Sequence, residues 1–104
     1  MLDNGFIGHF PVGGTVLLAL QCRSQDLQVS NPTGTPTYIV LTPEGTQIKT
    51  RETTQTVGAL TGFRSDSLEL TEDRNWQPGM VYTVVFSYVE SGENRACTST
   101  FQVV

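Results

Sequence analysis

Few residues in this chain have the types and spacing that chemistry requires. His9 is the sole histidine. A histidine acts as a general base only beside a nucleophile and a group that orients it, and no Gly-x-Ser-x-Gly elbow supplies the nucleophile. The carboxylates Asp66, Glu69, Glu72 and Asp73 cluster in sequence. Strand alternation puts Asp66 and Glu69 on opposite faces, and Glu72 and Asp73 fall in a polar connection. Their spacing fits no calcium loop, so all four are expected to be solvated charges. Gly13-Gly14 is followed by neither a lysine nor a helix, so it reads as a turn and not as a phosphate loop. Cys22 and Cys97 belong to no CxxC motif and have no nearby histidine. A disulfide would need their Cα atoms within about 7 Å. The expectation is two free thiols that act as small buried apolar groups. No enzyme, metal or cofactor is expected.

Composition narrows the classes further. The chain has 104 residues and a net charge of −4, with six basic residues. That length suits one domain with a core that needs no metal or disulfide. Arg51, Arg64, Arg74 and Arg95 are scattered singly, so no basic patch exists to displace counterions from nucleic acid. Residues 1–14 lack the cationic start of a signal peptide, and the apolar run 16–20 is far too short for a bilayer. The expectation is synthesis in the cytoplasm and no membrane partner.

The elements that must position these residues are strands. Residues 76–104 dominate. Residues 81–89 are rich in Val, Tyr, Thr and Phe, which suit a pleated, half-buried surface. Residues 91–94 supply a turn, with Gly92 and Asn94 tolerant of positive φ, and residues 95–104 run back. Tyr82, Val84, Phe86 and Tyr88 share one face; on the return, Cys97, Phe101 and Val103 share one. Upstream, residues 15–22 form a strand with Val16, Leu18, Leu20 and Cys22 inward. Leu17 and Ala19 make its other face partly apolar, which predicts that something covers it. Residues 23–36 are loop-rich, with Leu27 and Val29 in a brief strand or a plug. Residues 37–42 form a strand, Pro43-Glu44-Gly45 a turn, and residues 46–50 the returning partner with Ile48 inward. Residues 51–60 are an edge strand or a long loop, with Val57, Ala59 and Leu60 rejoining the core. Residues 62–70 form a further strand, with a bulge or strand bend near Ser65 that lets Phe63 join Leu68 and Leu70. The predicted core is Val16, Leu18, Leu20, Ile39, Leu41, Leu68, Leu70, Tyr82, Val84, Phe86, Phe101 and Val103. No window has sustained helical periodicity. The expected fold is all-β: an immunoglobulin-like antiparallel β-sandwich of about seven strands.

Residues 1–11 fit no period. Phe6, Ile7 and Phe10 stand among Gly5 and Gly8, with Gly13 beyond. One reading is a frayed terminus with a short edge strand near residues 10–12. The other is an arm whose aromatics dock on a neighbouring subunit, mobile in the free domain and dispensable for its stability.

Several segments together resemble a known group. These are Val12-Gly13-Gly14-Thr15-Val16, Thr42-Pro43-Glu44-Gly45, Gly62-Phe63-Arg64, Leu68-Glu69-Leu70-Thr71, the run from Trp76-Gln77-Pro78-Gly79 to Tyr82, and the closing Phe101-Gln102-Val103. The series looks like the immunoglobulin-like or fibronectin-like domains of tailed-bacteriophage virion proteins, over nearly the whole chain. The resemblance implies a sandwich at 12–104 behind an N-terminal arm at 1–11. It also gives structural roles to Trp76, Pro78, Gly79 and Tyr82, with the Tyr82 hydroxyl returning to nearby backbone as a tyrosine corner. It carries no inter-sheet disulfide, because Cys97 lies on the last strand and Trp76 ahead of the penultimate one.

The resemblance implies a non-catalytic structural protein of the virion, made in the host cytoplasm. A capsid decoration (cement) protein bound to the major capsid protein is the leading form; a head–tail connector, neck or tail protein is the alternative. Partner-binding residues are expected at Phe6, Ile7, His9 and Phe10, and sister copies are a further candidate partner. A glycan-binding module is the alternative of another class, with Trp76, Tyr38 and Tyr88 as its aromatics.

Overall fold

A computed structural model describes residues 2–22, 28–52, 55–56, 62–71 and 76–104. Within them lie eight strands: β1 (Leu2–Phe10), β2 (Thr15–Gln21), β3 (Thr33–Leu41), β4 (Gln47–Glu52), β5 (Gln55–Thr56), β6 (Phe63–Glu69), β7 (Val81–Glu90) and β8 (Glu93–Val103). They make a five-stranded sheet ordered β1-β8-β7-β3-β4 and a three-stranded sheet ordered β2-β6-β5. The chain is an immunoglobulin-like β-sandwich. Its connectivity differs from the constant-type arrangement in two respects: β4 adds a strand beside β3, and the first strand, which there extends the sheet that holds the second, does not do so. Here β1 joins β8 instead, in parallel, while every other pair is antiparallel. Residues 2–10, read from sequence as an arm, therefore lie within the five-stranded sheet.

Alternation builds the core. On β7 and β8 the inward apolar residues are Tyr82, Val84, Phe86, Tyr88, Cys97, Phe101 and Val103; facing them are Val16, Leu18, Leu20 and Cys22 of β2 and its end, with Leu68 and Leu70. The expected inward pair Ile39 and Leu41 is wrong. β3 turns Tyr38 and Val40 inward and leaves Ile39 and Leu41 half-buried on the outer face. The strand is apolar on both parities, so periodicity alone does not choose. The choice falls to Tyr38, whose hydroxyl finds a buried partner. That partner is Asp66, which alternates with Leu68 on the inner face of β6 and is 4% exposed. The expectation that Asp66 is solvated is therefore corrected, while Glu69 on the opposite parity is exposed. No bulge occurs near Ser65 either: β2 and β6 pair in unbroken register from Thr15↔Glu69 to Gln21↔Phe63. Glu72, Asp73, Leu27, Val57, Ala59 and Leu60 lie outside the described residues.

Turns follow the glycines. The β7–β8 hairpin turns on Ser91 and Gly92, both at positive φ (51° and 78°), as a two-residue loop matched to strand twist. Asn94, expected in that turn, pairs with Val89 instead. At residues 42–46 the Thr42 amide donates to the Thr46 carbonyl at 2.9 Å, with Gly45 at φ 88°. Gly62, at φ 78°, is the most confined. A Cβ there would lie 2.7 Å from the Ser30 carbonyl oxygen and 2.9 Å from that of Cys22. Its amide donates to Asn31 Oδ1 at 2.8 Å.

Candidate interaction site

β1 carries all four residues expected to touch a partner, and the strand sorts them onto two sides. β1 advances three residues, Phe6 to His9, while β8 advances two, Thr100 to Gln102. That extra residue is a bulge, and Gly8 at φ 151° within it takes a conformation L side chains rarely adopt. The bulge restores parity, so Phe6 and His9 share the outer face. Their rings meet edge-to-face, centroids 5.2 Å apart. Phe6 is 53% exposed. Ile7 and Phe10 pack against the core instead, Phe10 meeting Phe101 edge-to-face at 6.3 Å. The sequence placed the four together; only Phe6 and His9 are presented.

Register extends that face across the sheet. Phe6 lies opposite Thr100, which lies opposite Thr83, which lies opposite Leu41; His9 leads likewise through Gln102 to Val81. On the outer parity of β3, β7 and β8 from Thr37, Val81 and Asn94 onward, no residue is charged. Val81 stays substantially exposed beside Met80. The sequence signalled the polar side of β8 but not its alignment with Phe6, because that depends on parallel pairing between residues about ninety positions apart.

The structural residues form a second cluster at the entry to β7. Trp76 is buried and meets Tyr82 edge-to-face at 5.1 Å; Tyr82 in turn stacks on Phe101 at 5.6 Å. The Gln77 amide donates to the Tyr82 hydroxyl at 2.7 Å, closing a tyrosine corner. Pro78 and Gly79 make the turn between them, Gly79 at φ 88°, and the Gly79 amide donates to the Val103 carbonyl at 2.6 Å. Gln102 Nε2 donates to the Gly79 carbonyl at 3.2 Å, so this corner also anchors the outer face near His9.

Groups capable of chemistry are dispersed. Cys22 and Cys97 are both buried thiols outside any disulfide. Burial pushes the Cys22 thiol up to about 11, with Arg64 opposing and Cys97 adding to the rise. Among the described residues no group of three or more His, Cys, Asp or Glu converges as a metal site. A depression of about 160 Å³ between the 42–46 turn and the tyrosine corner, lined by Thr42, Pro43, Ile48, Gln77 and Met80 among others, is smaller than ligand pockets of roughly 300 Å³ upward. Trp76, Tyr38 and Tyr88, the aromatics a glycan platform would need at the surface, are all buried. The arrangement offers surface contact. The chain matches no family model, no curated protein and no solved structure.

Proposed function

We propose that this protein is a non-catalytic structural component of a bacteriophage virion, a capsid decoration protein that docks on the major capsid protein. The observation that carries the docking reading is the Phe6–His9 ring pair, presented beside the uncharged outer rows of β8, β7 and β3. Apolar area contributes about 25 cal/mol per Å², and an aromatic anchor at the centre of a contact is a common hot spot. Anchors on a strand are already ordered, so docking spends little conformational entropy on them. The virion assignment rests on the sequence resemblance to phage immunoglobulin-like domains.

The test is mass spectrometry of gradient-purified phage particles from the source culture, followed by co-sedimentation of the protein with assembled heads. A decoration protein is found at a copy number comparable to the coat protein, and Phe6→Ala with His9→Ala releases it from heads without altering its circular dichroism. A few copies per particle would point to the neck or tail. Absence from particles would overturn the virion reading.

A further inference from the structure

We infer that β2 is a pairing edge for a second copy of this chain, and that two copies join their three-stranded sheets there in antiparallel fashion. The inference goes beyond the docking reading and uses a different surface.

Among the described residues β2 has one hydrogen-bonded neighbour, β6. Its edge is open because β1 joins β8, where the constant-type arrangement would put a strand beside β2. The ladder shows which groups face out. The Cys22 amide donates to the Gly62 carbonyl, and the Leu70 amide donates to the Gly14 carbonyl. Hydrogen-bonded pairs alternate along an antiparallel ladder, so Val16, Leu18 and Leu20 bond to β6. Thr15, Leu17 and Ala19 therefore direct their N–H and C=O groups to the open edge.

Natural edges are blunted by charges, prolines, bulges or shortness. Two of the other edges carry such a device. β4 includes Lys49, Arg51 and Glu52, and β1 has two register irregularities with Gly5 and Gly8 at positive φ. β2, TVLLALQ, has no charge, no proline and no bulge over seven residues, and its Leu17 is 64% exposed.

The sequence of β2 favours its own copy as occupant. A two-fold axis at Leu18 pairs residues 16–20 with the same residues of the other copy. Leu17 then lies opposite the small Ala19 of the other copy, and Val16 opposite Leu20, so the apolar rows on both faces continue across the junction. Each chain carries a net charge of −4, and an uncharged edge is where two such chains approach with least repulsion.

The test is sedimentation equilibrium of the full chain, with amide hydrogen exchange over a concentration series. The wild type should show twice the chain mass at high concentration and dissociate on dilution, with the Leu17 and Ala19 amides gaining about tenfold or more protection as it associates. Leu17→Lys adds the missing edge charge, and Ala19→Pro removes an outward N–H at a position where an edge strand tolerates proline. Each variant should remain monomeric. A wild type with single-chain mass throughout overturns the inference, as it would if this edge served an extended segment of another protein. A dimer that survives both substitutions also overturns it. Should either variant misfold, unprotected Leu17 and Ala19 amides in the associated wild type decide against it.

Discussion

The Tyr38 hydroxyl donates a 2.5 Å hydrogen bond to Asp66 Oδ2 and so ties β3 of one sheet to β6 of the other through the core. Both residues are buried, and Asp66 stands opposite Leu18 on β2 in a mostly apolar layer. An acceptor in such a place is costly to leave short of donors. Tyr38→Phe keeps the ring and its packing on Phe86 and removes only this donor. It should lower unfolding free energy by about 1–3 kcal/mol, read by urea titration. A change near zero would mean that Asp66 is satisfied without Tyr38.

Gly62 should tolerate no side chain. Its positive φ disfavours any L residue, and the oxygens a Cβ would strike belong to backbone that cannot swing aside. Gly62→Ala should cost about 2–5 kcal/mol, combining strain with overpacking. Gly45 has open space at its Cβ position and a similar φ, so Gly45→Ala should cost clearly less in the same thermal melt.

The thiols give a pH-dependent prediction. The folded state holds the Cys22 proton up to about 11, against 9.0 for the ordinary thiol. Below pH 9 both folded and unfolded chains keep the proton, and the stabilisation is fully present. Between pH 9 and 11 the unfolded thiol ionises first, so stability should fall with rising pH, by about 2–3 kcal/mol for this group alone. Cys22→Ala should flatten that part of the profile. At pH 8 the native protein should resist iodoacetamide, and unreduced protein in denaturant should show two reactive thiols.

Phe6 and Phe10 should separate binding from stability. Phe10→Ala removes a ring packed on Phe101 and should cost about 2–4 kcal/mol, less than a fully buried phenylalanine because Phe10 is only partly covered. Phe6→Ala should leave the thermal midpoint nearly unchanged. Deleting residues 1–10 should lower the midpoint, because it removes the β1–β8 ladder together with Ile7 and Phe10. This replaces the arm expectation, in which the segment was dispensable for folding.

Much of the sandwich was legible because its long strands alternate cleanly. Tyr82, Val84, Phe86 and Tyr88 have one parity and polar or smaller residues have the other, so β7 declares its inner face. The Pro78-Gly79 turn with Tyr82 four residues past the proline announced the corner that the Gln77 amide completes. β3 was misread because Tyr38, Ile39, Val40 and Leu41 are all apolar enough for a core, and only the distant Asp66 selects between parities. β1 was misread because its bulges break the period of two, which makes a strand look like an irregular tail. Phe6 and His9 were legible as unusual residues; their shared face was not, since it exists only through the register with Thr100 and Gln102.

That register also orders events in time. Leu2 sits opposite Cys97 and Phe10 opposite Val103, and the Val104 amide donates to the Phe10 carbonyl at 3.0 Å. Among the described residues, the first of the eight strands to be synthesised thus has its only ladder on the last. Closing so long a loop costs about 4 kcal/mol beyond a constant term and must precede any gain from the pairing. On the ribosome, β2 to β7 can begin to assemble while β1 trails with Ile7 and Phe10 uncovered, a ready target for chaperones until β8 emerges.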